Sequence, residues 1–125
     1  MKLSNEQIKF ITDNGWAILA SSAGDGQPRA AIVVPSRIEK DRIILSDCQM
    51  GVSNKNVMAN PKVFISSYDA NMDNALKIAG TAEYVTNGKL FDEIYEYEKA
   101  KNTPYIPKAI IVVKIDGKEE VHDVD

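Results

Sequence analysis

The chain contains one histidine, His122, set among acidic residues near the C-terminus. One histidine gives a histidine-based triad or metal cluster almost nothing to work with, and an exposed tail residue is its simplest reading. Cys48, the one cysteine, has no histidine near it in sequence, so a buried structural thiol outranks a nucleophile. Neither GxGxxG nor GxxxxGK followed by Ser or Thr occurs, so nucleotide sites of those two kinds are not indicated. Asp92, Glu93, Glu96 and Glu98 cluster on a helix whose apolar face is elsewhere. They read as a solvated face rather than a carboxylate pair. No metal site is expected.

The segment from Ser46 to Asn56 remains. It holds Gly51, Ser53, Asn54, Lys55 and Asn56, and it opens a helix after a strand, with Ser53 as the expected N-cap. Backbone N–H groups at a helix start, beside small polar side chains, form an anion site whose natural ligand is a phosphate. Many strand-to-helix junctions look like this, so on the residues alone an ordinary helix cap has the advantage.

The elements that must position this segment follow from periodicity. Ser4 and Gln7 have capping-box spacing, and Ile8 and Ile11 give one apolar face, predicting a helix over residues 5–13 closed by Asn14-Gly15. Trp16 to Ser22 is a strand, and Gly24-Asp25-Gly26 turns the chain. A second strand covers residues 29–38, in which Pro35 marks an edge, a bulge or an end because it cannot donate to a ladder. Arg42 to Asp47 is the third strand. Pro61 stops the short helix that follows Ser53. Val63 to Tyr68 and residues 76–86 are strands, the latter with Leu76, Ile78, Ala82 and Tyr84 on one face. Leu90, Ile94 and Tyr97 recur at helical spacing over residues 88–101, and Ala109 to Ile115 is the last strand. Too few helices alternate with strands for βαβ units, so the class is mainly β, an antiparallel sheet or barrel with flanking helices.

Composition bounds the partners. The chain has 125 residues, 18 acidic and 15 basic, for a net charge of −3, and is 44% hydrophobic. This suits one domain over residues 1–125, long enough to bury roughly two-thirds of its unfolded surface. Residues 116–125 carry a local charge of −4, leaving +1 on the body. The acidic tail, from about residue 117, is expected to fray. No basic stripe suggests nucleic acid, no apolar run approaches the ~20 residues of a membrane span, and the polar start lacks a secretory pattern. The expectation is a soluble, cytoplasmic protein with no membrane partner.

Several short motifs occur in a recognisable order: Ala20-Ser21-Ser22-Ala23-Gly24-Asp25-Gly26-Gln27-Pro28, Asn56-Val57 with Asn60-Pro61-Lys62-Val63, Ile78-Ala79-Gly80-Thr81-Ala82-Glu83-Tyr84, and Thr86-Asn87-Gly88 leading to Phe91 and Glu93. Through them the chain resembles the short members of the FMN-binding split-barrel family related to pyridoxamine 5′-phosphate oxidase. The resemblance implies a six-stranded antiparallel split barrel that forms a homodimer with FMN at the subunit interface. It places the flavin along Ala30, Ala31, Ile32 and Val33 and against Ser46, Asp47 and Cys48. It places the phosphate at Met50, Gly51, Val52, Ser53 and Asn56, in agreement with the anion site above.

One position departs from the family pattern. Val52 stands where a Lys or Arg commonly pairs with the phosphate, leaving Lys55 or Arg29 to supply a cation. The missing contact is worth ~1.5–3 kcal/mol, so weak FMN binding, another phosphorylated ligand and a lost cofactor all stay open. Three functions follow: a small FMN-dependent oxidoreductase with a small-molecule redox partner, a flavin-binding module without turnover, and a split-barrel dimer without ligand. The homodimer has a second argument in the runs Ala109–Ile115 and Val63–Tyr68, whose apolar character exceeds what the outside of one small barrel tolerates.

Overall fold

The computed structural model describes residues 1–48 and 51–124. Helix α1 spans Asn5–Asn14. Its capping box is complete, with the Ser4 side chain accepting from Gln7 N and the Gln7 side chain accepting from Ser4 N. It ends at Gly15, whose φ of 79° is the left-handed conformation that glycine takes without steric cost. Strand β1 (Ala17–Ser22) runs through the Gly24–Gly26 turn into β2 (Pro28–Val33). Strands β3 (Arg37–Ile38) and β4 (Arg42–Asp47) follow, then α2 (Val52–Ala59), β5 (Lys62–Tyr68), β6 (Asn74–Val85), α3 (Lys89–Lys99) and β7 (Ala109–His122).

The expected strand over 29–38 is therefore two strands, and the total is seven rather than six. Pro35 lies in the break, as a residue without an N–H must. The break shapes the fold. The strands form one antiparallel sheet in the order β2-β1-β5-β6-β7-β4-β3, so β2 and β3 are its two edges. Yet only residues 34–36 join them, a reach of roughly 14 Å at most. The sheet must curl until its edges nearly meet, which makes a barrel open along one seam.

Inside the barrel lies one core that includes Leu19, Ile43, Leu45, Ile65, Leu76, Ile78, Ile111, Val113 and Ile115. A second cluster, Ile44, Ile94 and Ile110, lies under α3, which packs Leu90 and Phe91 against it. The continuous apolar run of β7 is thus covered on both faces by its own chain. In β5, Val63 and Ile65 point into the barrel. The β7 run is therefore accounted for within the chain, whereas Phe64 and Tyr68 of β5 stay half-buried on the outer face. The large apolar side chains left in solvent include Ile32, Val34, Tyr105 and Ile106.

The acidic tail also departs from expectation, being strand as far as His122. Asn74 to Ala79 of the long β6 pair with Gly117 to His122. Glu119 stands opposite Lys77, and Glu120 accepts from Gln7 Nε2 at 2.8 Å, so these exposed acids sit on an ordered strand and not on a loose end. The β6–β7 ladder breaks register between Ala79 and Gly80. There the backbone of β7 comes so close that a Cβ on Gly80 would lie 2.9 Å from the Lys114 carbonyl oxygen. Only glycine fits without movement.

Candidate functional site

At the seam, β2, the end of β4, the start of α2 and the loop before β7 enclose a cavity of about 330 Å³. From β2 come Arg29, Ala31 and Val33, which share one face of the strand by its period of two. Ile32, 74% exposed, reaches the rim at the strand edge. Ser46 and Cys48 arrive from the end of β4, Ser53 from α2, and Tyr105 from the loop. Leu19, Leu45 and Val34 complete the apolar wall.

The polar end of this cavity is where Arg29 meets α2. Arg29 Nε donates to Ser53 Oγ at 3.3 Å. The N-cap of α2 is Gly51, not Ser53, and no side chain caps it. A cap side chain must precede the first helical turn, whereas Ser53 already lies within that turn, buried at 2% exposure. Its hydroxyl therefore faces the cavity instead of the helix end. Lys55 is exposed and does not line the cavity. Of the two cations that could stand in for the family's basic residue, Arg29 is the one placed here.

The other expected site residues fall in different places. Ala30 lies on the opposite face of β2, and Val52 is 49% exposed outside the cavity. Asn56 is buried and donates to Ser21 Oγ at 3.3 Å. Asp47 is fully buried and does not line the cavity; its Oδ2 accepts from Asn54 Nδ2 at 3.0 Å and from Tyr84 Oη at 2.5 Å. Met50 lies outside the described residues. Leu19, Val34, Leu45 and Tyr105 were not singled out from the sequence. Tyr105 sits in a loop between Pro104 and Pro107, where no periodicity signals a direction.

Two groups near the site have displaced acidities. Burial pushes the Cys48 thiol up, with the charges of Glu98 and Asp47 acting in the same sense, which disfavours a thiolate. Burial and then the hydrogen bond to Asp47 push the Tyr84 phenol up to about 12. Among the described residues no group of three His, Cys, Asp or Glu could hold a metal ion. His122 is elsewhere, at the end of β7, with its Nδ1 2.9 Å from Asn74 Oδ1.

The cavity thus combines one cation and polar side chains with an apolar wall. Residues 3–122 match the family described as pyridoxamine 5′-phosphate oxidase. The chain belongs to that family. The chain is 30% identical over 118 residues to the Methanocaldococcus jannaschii protein MJ0282, covering 92% of this chain and 78% of that one. Solved structures share the split-barrel fold at lower identity. HupZ of Group A Streptococcus superposes with a TM-score of 0.85 at 20% identity, over 98% of this chain and 100% of that one. An FMN-binding protein from Syntrophomonas wolfei superposes with a TM-score of 0.77 at 19% identity, over 94% and 85% respectively. The fold of this oxidase-family chain is accordingly the mainly β split barrel with flanking helices, of the kind that binds FMN. No helix among its described residues is long and apolar enough to cross a membrane.

Proposed function

We propose that this protein binds FMN in the seam cavity and acts as a small FMN-dependent oxidoreductase, working as a homodimer. The observation that carries the reading is the two-ended cavity itself. Arg29 and Ser53 offer a charge-assisted contact and a hydroxyl to a phosphate, while Leu19, Ala31, Val33 and Leu45 offer an apolar wall to a ring. Ala31 is small enough for a flat ring to approach the strand backbone. When bound, the flavin supplies the electron and hydride chemistry. The chain's own residues bind, orient and shield it from water. That division of labour suits a cavity in which Arg29 is the sole charged residue among the described lining residues.

The volume of about 330 Å³ is at the low end for ligand cavities, and the cleft is open beside exposed Ile32, Val34 and Tyr105. A second copy set against this rim would close the site and bury the apolar side chains. This supports the homodimer on different residues from the β5 and β7 runs.

The test is a titration of the purified protein with FMN and riboflavin, followed by light absorption and fluorescence. Saturable binding with FMN tighter than riboflavin is the expected result, and absence of binding for both sinks the reading. Anaerobic bleaching of bound flavin by a reduced nicotinamide supports the oxidoreductase. Failure to bleach with any tested donor favours a flavin-binding module instead.

A further inference from the structure

Helix α2 is held less by apolar packing than by hydrogen bonds. Four of its residues are buried, Ser53, Asn54, Asn56 and Val57, and three of these are polar. Val57 alone among them belongs to the barrel core. One apolar foothold fixes neither the roll nor the axial position of a two-turn helix, because hydrophobic contact is non-directional. Directional bonds must do so. Asn56 reaches Ser21 on β1, Ser53 meets Arg29 on β2, and Asn54 donates to Asp47 at the end of β4.

Of these anchors, Asp47 is the most firmly placed. Its backbone pairs with Ala109 on β7, and its carbonyl oxygen accepts from Lys108 N at 3.0 Å. Its side chain is fully buried, and one oxygen, Oδ2, takes both Tyr84 Oη from β6 and Asn54 Nδ2 from the first turn of α2. A carboxyl oxygen has lone pairs for more than one donor, so this one oxygen gathers two donors from two elements. The chain neighbours of this pair face the cavity: Ser46 and Cys48 beside Asp47, and Ser53 beside Asn54.

We propose that Asp47 is a positioning residue for the phosphate end of the site. By gripping Asn54, and being gripped by Tyr84, it fixes the first turn of α2 so that the Ser53 hydroxyl faces Arg29 across the cavity. The proposal rests on the reading that this end receives the phosphate of FMN. Asp47 touches no ligand itself. Its effect reaches the phosphate through Asn54 and Ser53, so it acts on the phosphate end and leaves the ring wall of Leu19, Ala31 and Val33 alone.

The experiment uses the full chain and two variants that keep the Asp47 carboxylate, Asn54→Leu and Tyr84→Phe. Each is titrated with FMN and with riboflavin, alongside thermal unfolding. Asn54→Leu is expected to weaken FMN about tenfold while leaving riboflavin within about twofold. Tyr84→Phe should shift the same ratio in the same direction by less. Lower thermal stability alone would weaken both ligands alike, so the FMN-to-riboflavin ratio separates positioning from general loosening. A folded Asn54→Leu protein that keeps the wild-type ratio overturns the proposal. If Asn54→Leu does not fold, Tyr84→Phe decides, since it removes one oxygen and adds no volume. Wild-type protein that binds neither flavin overturns the FMN reading itself. Wild-type protein that binds both flavins equally puts the phosphate elsewhere, and with it overturns the role given to Asp47.

Discussion

Arg29 on β2 reaches the first turn of α2, where its Nε lies 3.3 Å from Ser53 Oγ. This contact ties the edge strand β2 to helix α2. Arg29 is the one charged side chain among the described residues that line the cavity. It is itself partly open to solvent, so Arg29→Ala should weaken FMN by about 1–2 kcal/mol, roughly fivefold to thirtyfold, and leave riboflavin nearly unchanged. Lys55→Ala is the control and should change neither, since Lys55 is exposed and outside the cavity. Parallel calorimetric titrations check this. Equal losses for both ligands in Arg29→Ala would place the phosphate away from Arg29.

Val52 gives a second, quieter prediction. Its side chain is half exposed, so an ammonium introduced by Val52→Lys would be screened by solvent. Because Val52 also lies outside the cavity that Arg29 lines, the gain in FMN affinity should be below about 1 kcal/mol and less than the loss caused by Arg29→Ala. A tenfold gain in the same titration would show that residue 52 turns toward the phosphate.

Some of this was legible in the sequence because the signals are local. Ser4, Gln7 and Gly15 define α1 through backbone capping, which needs no tertiary partner. Pro35 signalled an edge, a bulge or an end, since a missing N–H is a property of the residue, but residues 29–38 read as one strand. What the break would do was not legible, because the sheet partners of β2 and β3 lie at opposite edges. The strand character of the tail was hidden for the same reason. Glu119 and Glu120 look like a fraying end until their strand is paired with Leu76 and Lys77 of β6. At the site, the resemblance places Ala30 and Ala31 together along the flavin, whereas strand alternation leaves only Ala31 of the two lining the cavity, with Arg29 and Val33. The burial of Asp47 depends on Tyr84, 37 residues away, and no spacing rule connects the two.

The β6–β7 bulge sets a stability prediction. Gly80→Ala places a methyl group against the Val113 side chain and 2.9 Å from the Lys114 carbonyl oxygen, and the backbone oxygen has little room to retreat. The cost should be about 1–3 kcal/mol, seen as a lower urea midpoint with an unchanged slope. Gly117→Ala, whose added Cβ would meet Ala79 Cβ at an ordinary 3.8 Å, should cost much less. Equal midpoints for the two variants would contradict the close approach at Gly80.

Tyr84 makes stability depend on alkaline pH. Its phenol is pushed from 10.0 up to about 12 in the folded protein, by burial first and then by Asp47. Between these values the unfolded chain has lost the proton and the folded protein keeps it, so unfolding releases a proton and stability falls as pH rises. The contribution is fully present below about pH 10 and is lost as pH climbs through about 12. Other groups titrate there too, so the measurement is a difference: denaturation midpoints of wild type and Tyr84→Phe across this range. The wild-type curve should fall more steeply. Parallel curves would mean that Asp47 and burial do not hold the phenol neutral.

The exposed rim of the cavity predicts the assembly. Ile32 and Ile106 are 74% and 46% exposed, and Ile32 borders the cavity while Ile106 follows the cavity residue Tyr105. Side chains of this kind beside an open cleft are covered most simply by a second copy meeting the same face. Light scattering should therefore give twice the chain mass of 13.8 kDa. Ile106→Asp buries a carboxylate in that interface without lining the cavity itself, and should return the mass to that of one chain. If the second copy closes the flavin site, Ile106→Asp must also weaken FMN and riboflavin together, because what is lost is the far wall and not the phosphate contact. That joint loss is opposite in pattern to the FMN-selective loss in Arg29→Ala. A wild-type mass of one chain would overturn the dimer, and a monomeric Ile106→Asp protein with undiminished flavin affinity would show that one chain's cavity suffices.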